Sequence, residues 1–277
     1  MSDGLDPDAK RFIEWARPGS TGSIFTVDAL IEHKRTAYQD LLLFENAFWG
    51  KVLVLDGAVQ LTELDEFFYH ESLAHPALLA REYPERVLII GGGDGALAEE
   101  VLKHPVREVT LVEIDPDVVN IAKAYLGKIH RSAFADPRLR VIIEDATVWI
   151  KNDSTRYDAI LVDLTDPGGP SAPFYEKATF ELLAGRLAPH ACLALQIGRY
   201  FHPDPFCVEL EHHLRKIFDW SAVYAAPTPA YPGGMWRFWI GSDSPPNWRA
   251  DTVAKRLASL RDLRWISPTF YPLGWRD

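Results

Sequence analysis

Residues 87–96, VLIIGGGDGA, place an acid inside a glycine-rich strand-to-helix turn. Val87 to Ile90 form a short apolar run of the length and branching of a buried parallel strand. Gly91, Gly92, Gly93 and Gly95 let the backbone turn sharply and approach a ligand closely. Gly91-x-Gly93-x-x-Ala96 by itself also fits a dinucleotide fingerprint. Asp94 separates the two readings, because a carboxylate in the turn repels a pyrophosphate and attracts a sulfonium or an amine. The loop therefore favours an adenosyl-sulfonium ligand over a nicotinamide dinucleotide.

Other acids recur at strand ends. Glu113 closes LVEID twenty-two residues after Gly91, where a carboxylate can accept from both ribose hydroxyls. Asp145 closes VIIEDA, where it could accept from an adenine amine while the Ala146 N–H meets a ring nitrogen, or equally cap the following helix. Asp163 and Asp166, in AILVDLTDPGGP, face the same crevice as Asp94, and either could hold and deprotonate an amine cation. Tyr231, in TPAYPGGMWRFW, could line a pocket or belong to the core. His212-His213 and His70…His75 lack further acids or thiols at ligand spacing, so no metal site is expected. Neither Ser nor Cys lies in a nucleophile elbow.

Two kinds of element must position these groups. From Ser23 to Glu63 the runs SIFTV, TAYQDLLLFEN, KVLVLDG and AVQLTEL are short, with Asp56-Gly57 a hairpin signal, and predict a small antiparallel β domain over residues 1–64. The polar first twenty or so residues, with Pro7, Pro18 and Gly19, suggest loose order. Asp65 to Leu79 has helical spacing at Phe68, Ser72, His75 and Leu79. After Pro84 strands alternate with helices: RVLII, EVTLVEI, RVIIED, YDAILVD, ACLALQI, SAVYAA and MWRFWIGS. The expected fold is α/β, a Rossmann-like doubly wound sheet over 65–277 with ligands at its C-terminal strand ends.

The chain has 277 residues, 47% of them apolar, including nine Trp, enough for a large core. Its net charge of −10, from 29 basic and 39 acidic residues, argues against a nucleic-acid partner. Two cysteines, Cys192 and Cys207, suit reduced thiols in the cytoplasm. The start, MSDGLDPDAK, has no secretory pattern, and no apolar run nears the roughly 20 residues of a membrane span.

From about Ser23 to Ser242 the sequence resembles the polyamine aminopropyltransferases, most closely the spermidine synthases. The resemblance is carried in order by AYQDLLLFEN, GKVLVLDGAVQLTELDEFFYHE, VLIIGGGDGA, LVEID, EDA, DLTDPGGP and AYPGG. It implies a β-strand domain on a methyltransferase-type Rossmann-like domain, a homodimer or homotetramer, and decarboxylated S-adenosylmethionine as co-substrate with no prosthetic group. It also implies a polyamine acceptor, putrescine first, giving spermidine and methylthioadenosine. By that resemblance Gln39 contacts the methylthioadenosine part, while Tyr69 and His70 face the aminopropyl group and the acceptor. Asp94 holds the co-substrate amine, Glu113 the ribose, and Asp145 with Ala146 the adenine, Pro170 packing beside it. Asp163 becomes the catalytic base, Asp166 an amine partner and Tyr231 a wall of the acceptor slot.

The chain departs from the family pattern at Ala96, at Leu164-Thr165, and at Ile197-Gly198-Arg199 with bulky Trp236 and Trp239. Arg199 and Trp236 bear on acceptor identity, since a cation beside a polyamine is unfavourable. Competing readings are transfer to a longer polyamine, a small-molecule methyltransferase using intact S-adenosylmethionine, and a silent polyamine- or nucleoside-binding protein. Asp94 opposes the methyltransferase, which must seat the cofactor carboxylate. The presence of Asp163 and Tyr69 opposes the silent protein.

Overall fold

The computed structural model describes residues 4–6, 10–17, 21–167, 169–246 and 248–267. Seven strands come first. β1 (Gly4–Asp6), β2 (Arg11–Arg17) and β3 (Thr21–Thr26) form one antiparallel sheet, and β4 (Ala29–Arg35), β5 (Asp40–Asn46), β6 (Gly50–Leu55) and β7 (Ala58–Thr62) form a second. β2 lies inside the stretch whose polar composition suggested loose order. Its Phe12 is fully buried against Phe25 and Phe44, and that packing outweighs the local composition. β1 lies in that stretch too, and residues 1–3, 7–9 and 18–20 of it lie outside the described residues. The β6–β7 hairpin turns at Asp56-Gly57, with φ of 47° and 81° as a type I′ turn needs.

Strand β5 explains its own continuous apolar run. Leu41 and Leu43 pack with Val118, Ile121 and Ala122, while Leu42 and Phe44 pack with Phe12 and Phe25 on the opposite face. Both faces are covered, so the strand does not alternate apolar with polar.

Helix α1 (Glu66–Leu79) follows. It is covered nearly all round, with Tyr69 to Leu79 buried, so it carries no single apolar stripe. Next come β8 (Arg86–Gly91), α2 (Ala96–Leu102), β9 (Glu108–Glu113), α3 (Pro116–Tyr125), α4 (Gly127–His130), β10 (Leu139–Ile143), α5 (Ala146–Asn152) and β11 (Tyr157–Asp163). The chain ends with α6 (Lys177–Arg186), β12 (Leu187–Arg199), α7 (Pro205–Ile217), β13 (Trp220–Pro227), β14 (Met235–Ser242) and α8 (Ala250–Ser259).

The order β10-β9-β8-β11-β12-β14-β13 makes a seven-stranded sheet in which only β14 runs antiparallel. β13 and β14 join without a helix between them, so the last step is a hairpin. The strand order reverses direction between β8 and β11, and there Asp163 pairs in register with Gly91. Ligands of such sheets sit in the crevice outside that switch point. Among the described residues no helix is long and apolar enough to cross a membrane.

Candidate functional site

The glycine turn is shaped by what lies against it. A Cβ on Gly91 would stand 2.1 Å from the Asp163 carbonyl oxygen, and Gly91 has φ of 79°. A Cβ on Gly93 would meet the Glu113 carboxylate at 2.8 Å. Only glycine lets the β8 turn approach both strand ends at once. Gly92 N–H donates to the Asp163 carbonyl (3.0 Å), and Asp94 Oδ1 accepts from Ala96 N–H (2.8 Å).

A cavity of about 410 Å³ opens over this crevice. Gln39, Tyr69, His70, Asp94, Glu113 and Asp163 line it, as do Asp166, Pro170 and Tyr231. Asp145 and Ala146 do not line it. Asp145 Oδ1 accepts from the Thr147 N–H and hydroxyl, both at 2.7 Å, and so caps α5. Gly168, between the two acids and Pro170, lies outside the described residues.

One end of the cavity is held by satisfied hydrogen bonds. Glu113 accepts from Gly93 N–H at 3.2 Å and from Asp115 N–H at 2.9 Å. Burial pushes its carboxyl up to about 7, against the help of those two N–H groups. Gln39 reaches across from the N-terminal sheet and donates to Asp115 at 2.9 Å, beside Thr36 at 2.7 Å.

The other end gathers charge. His70 Nε2, Asp94 and Asp163 lie with their polar atoms all within 4.8 Å of one another. The sequence showed no ligand arrangement around His70; the fold brings two aspartates to it, from the turn after β8 and from the end of β11. Asp163 Oδ2 is buried without a hydrogen-bond partner among the described residues. Burial pushes Asp163 up to about 6, with Asp94 adding to the rise and His70 and the Tyr69 phenol opposing it. Two aspartates against one histidine favour a positive guest, and an ammonium supplies both the charge and the donors that Asp163 Oδ2 lacks.

Two side chains that were not singled out, Gln196 and Glu14, complete the walls with Trp236 and Tyr231. Gln196 donates to Asp166 Oδ1 at 3.1 Å, and Trp236 Nε1 donates to Gln196 Oε1 at 2.9 Å. The indole thus fixes which way the Gln196 amide faces. Trp236 therefore belongs to the site through this bond as well as its bulk. Tyr231 donates to the Gln60 carbonyl and meets Tyr69 and Trp236 edge-on at 6.1 and 5.1 Å. Glu14, from β2, also lines the cavity, and only the tertiary fold brings that early residue there. Arg199 is absent from the lining. Its guanidinium donates to the Ala16 carbonyl at 2.7 Å, which ties it to β2.

Comparison with known proteins gives a consistent set of relatives. Residues 66–251 match the family described as "Spermine/spermidine synthase domain", and residues 12–63 match "Spermidine synthase tetramerisation domain". The chain is 37% identical over 254 residues to the polyamine aminopropyltransferase of Shigella boydii serotype 4, covering 90% of this chain and 88% of the relative. The same figures hold for the polyamine aminopropyltransferase of Escherichia coli strain K12 / DH10B. Among solved structures, spermidine synthase in complex with the transition-state analogue AdoDATO superposes with a TM-score of 0.88 at 28% identity, covering 94% of this chain and 89% of that one. Spermidine synthase from Thermotoga maritima superposes with a TM-score of 0.86 at 28% identity, covering 94% and 88%.

Proposed function

This chain belongs to the spermine/spermidine synthase family, and from that premise we propose that it transfers the aminopropyl group of decarboxylated S-adenosylmethionine to a polyamine acceptor, putrescine first. One observation carries the reading. Asp163 Oδ2, without a hydrogen-bond partner among the described residues, sits beside Asp94 at the switch point, a place that calls for ammonium groups and for a base.

In the proposed reaction Glu113 accepts from the ribose hydroxyls and Asp94 pairs with the co-substrate amine. Asp166 pairs with the acceptor's distal amine. Asp163 takes a proton from the acceptor's reacting ammonium, and the freed lone pair attacks the carbon beside the sulfonium. The C–S bond breaks, its electron pair returns to sulfur, and methylthioadenosine leaves. General-base assistance of this kind is worth about 10²–10⁴-fold, and holding both cations in line adds a proximity gain. Pairing each ammonium with its own carboxylate offsets their mutual repulsion. Tyr69, whose buried phenol stays neutral and faces Asp163, helps to orient the base.

The proposal extends to assembly as a homodimer or homotetramer in the cytoplasm. Its support is the exposed apolar surface of Ile24, Leu30 and Phe48 on the N-terminal strands and their turns. The test of function is incubation of the purified protein with decarboxylated S-adenosylmethionine and a panel of amines, products being read by mass spectrometry. Methylthioadenosine and spermidine are expected from putrescine. Methyl transfer from intact S-adenosylmethionine, or no product with any amine, would overturn the reading.

A further inference from the structure

Helix α1 joins the cavity to the C-terminal segment. Glu66 lies one turn before His70, and their side chains are 5% and 3% exposed. His70 Nδ1 stands 2.8 Å from the Glu66 carbonyl oxygen and 3.0 Å from Glu66 Oε2. Two acceptors at Nδ1 require the N–H there, which leaves Nε2 turned toward Asp163 Oδ2, 3.9 Å away. The second Glu66 oxygen, Oε1, is ion-paired with the Arg264 guanidinium. Arg264 is itself anchored. Its guanidinium lies 4.0 Å over the Phe67 ring, and the N–H groups of Arg264, Trp265 and Ile266 donate to the buried Glu71 carboxylate at 2.6, 3.0 and 2.8 Å.

We propose that Glu66 is a positioning residue for the amine end of the cavity: it holds the His70 ring with Nε2 toward Asp163, and Arg264 of the docked C-terminal segment holds Glu66 in turn. The consequence for turnover rests on the reading of Asp163 as base; the hold on His70 does not.

The charges around His70 come from three elements. Glu66 and the neighbouring Asp65 belong to α1 and its start, Asp163 to the end of β11, and Asp94 to the turn after β8. Burial works to lower His70, but the Glu66 hydrogen bond and the Asp163, Asp94 and Glu66 charges outweigh it and bring the ring to about 10. The Tyr69, Tyr175 and Tyr231 phenols also face Asp163. A cationic His70 facing Asp163 favours the ionised carboxylate that a base requires. Removing the Glu66 charge weakens the proton's hold on His70 and frees the ring, still charged near pH 6, to turn from Asp163; with that cation no longer facing it, Asp163 rises. The pH below which activity is lost therefore moves upward.

Glu66→Gln keeps an oxygen acceptor and removes the charge. An NMR titration of the His70 ring in the full chain, without substrate, should show it titrating about one pH unit or more lower. The acid limb of kcat/KM for aminopropyl transfer should move up in the same variant, and Glu66→Gln should move it no further when His70 is already Gln. An unchanged His70 titration overturns the proposal whatever reaction the protein catalyses. A limb shift that persists without His70 also overturns it, since Glu66 would then act through packing alone. Arg264→Gln, at a side chain 38% exposed, serves if Glu66→Gln does not fold. It should lower kcat about two- to fivefold, the worth of a partly exposed ion pair, and should have no effect when His70 is Gln. Equal effects in both backgrounds would overturn the proposal. Absence of aminopropyl transfer by the unaltered protein would count against the proposed function and leave the titration to decide this one.

Discussion

The two ends of the cavity are built on opposite principles. At the Glu113 end the acid is already bonded to two backbone N–H groups, and the neighbouring Gln39, Thr36 and Asp115 close a network among themselves. At the Asp163 end one oxygen has no hydrogen-bond partner among the described residues, and two aspartates crowd a histidine. A neutral nucleoside needs a rigid, satisfied cradle with few acceptors to spare. A pair of ammonium groups needs uncompensated negative charge, and the protein tolerates that unfavourable arrangement only where a ligand relieves it. The difference separates recognition from chemistry: one end fixes the shared nucleoside, and the other discriminates by charge.

The sharpest way to break this comparison is Asp163→Asn. Asparagine keeps the shape and removes the basic oxygen, so turnover at neutral pH should fall by more than about 10²-fold while methylthioadenosine affinity holds. Because Asp163 is pushed up to about 6, the unaltered enzyme should itself lose kcat/KM as pH drops through that value and the base takes up a proton. The defect of the variant should shrink as pH rises toward the acceptor amine's own pKa. Near-normal turnover at neutral pH would move the base elsewhere, Asp166 being next to test.

Asp94→Asn should divide the two ends by ligand. Decarboxylated S-adenosylmethionine carries the amine and should bind about tenfold or more weakly, the worth of a charged hydrogen bond. Methylthioadenosine lacks the amine and should bind as before. The unaltered protein should also prefer the decarboxylated form over intact S-adenosylmethionine, whose carboxylate Asp94 repels. Calorimetry with the three ligands checks all of this, and equal loss for methylthioadenosine would erase the distinction between the ends.

Glu113→Gln should weaken both nucleosides alike, by about tenfold. The ribose hydroxyls donate to the ionised carboxylate, so binding favours the deprotonated form of a group that burial pushes up to about 7. Methylthioadenosine binding should therefore release protons and weaken by about tenfold between pH 8 and pH 6. In the variant that pH dependence should flatten. Calorimetry at the two pH values would show a persisting slope if another group were responsible.

How much of this was legible in the sequence follows the range of the interactions. Asp94, Glu113, Asp163 and the glycine turn were readable because each sits at a strand end, and the strands announce themselves by short apolar runs. The Asp56-Gly57 turn was readable for the same local reason. β2 was not, since its burial depends on Phe25 and Phe44 across the sheets. Glu66 and Gln196 escaped notice because their roles lie in what they hold: His70 and Arg264 for the one, Asp166 and Trp236 for the other. Glu71 could not be read either, its partners lying more than 190 residues along the chain. Tyr69, His70 and Gln39 entered through family resemblance, as nothing in their spacing marks a ligand.

Asp145 gives the smallest effect and the finest test, because one residue carries two readings. Its Oδ1 caps α5 through Thr147, while the adenine contact that the resemblance implies would use the remaining oxygen, outside the lining of the cavity as it stands. Asp145→Ser keeps a capping oxygen, so the melting temperature should barely move, whereas Asp145→Ala should cost about 1 kcal/mol of stability. Both lose the second acceptor, and methylthioadenosine should bind about three- to tenfold more weakly, as for one ordinary hydrogen bond. Affinity that fell in the alanine variant alone would tie the loss to a frayed helix start. Affinity unchanged in both would make Asp145 a cap and nothing more, and the nucleoside end would then rest on Glu113 and Gln39 with no acid facing the base.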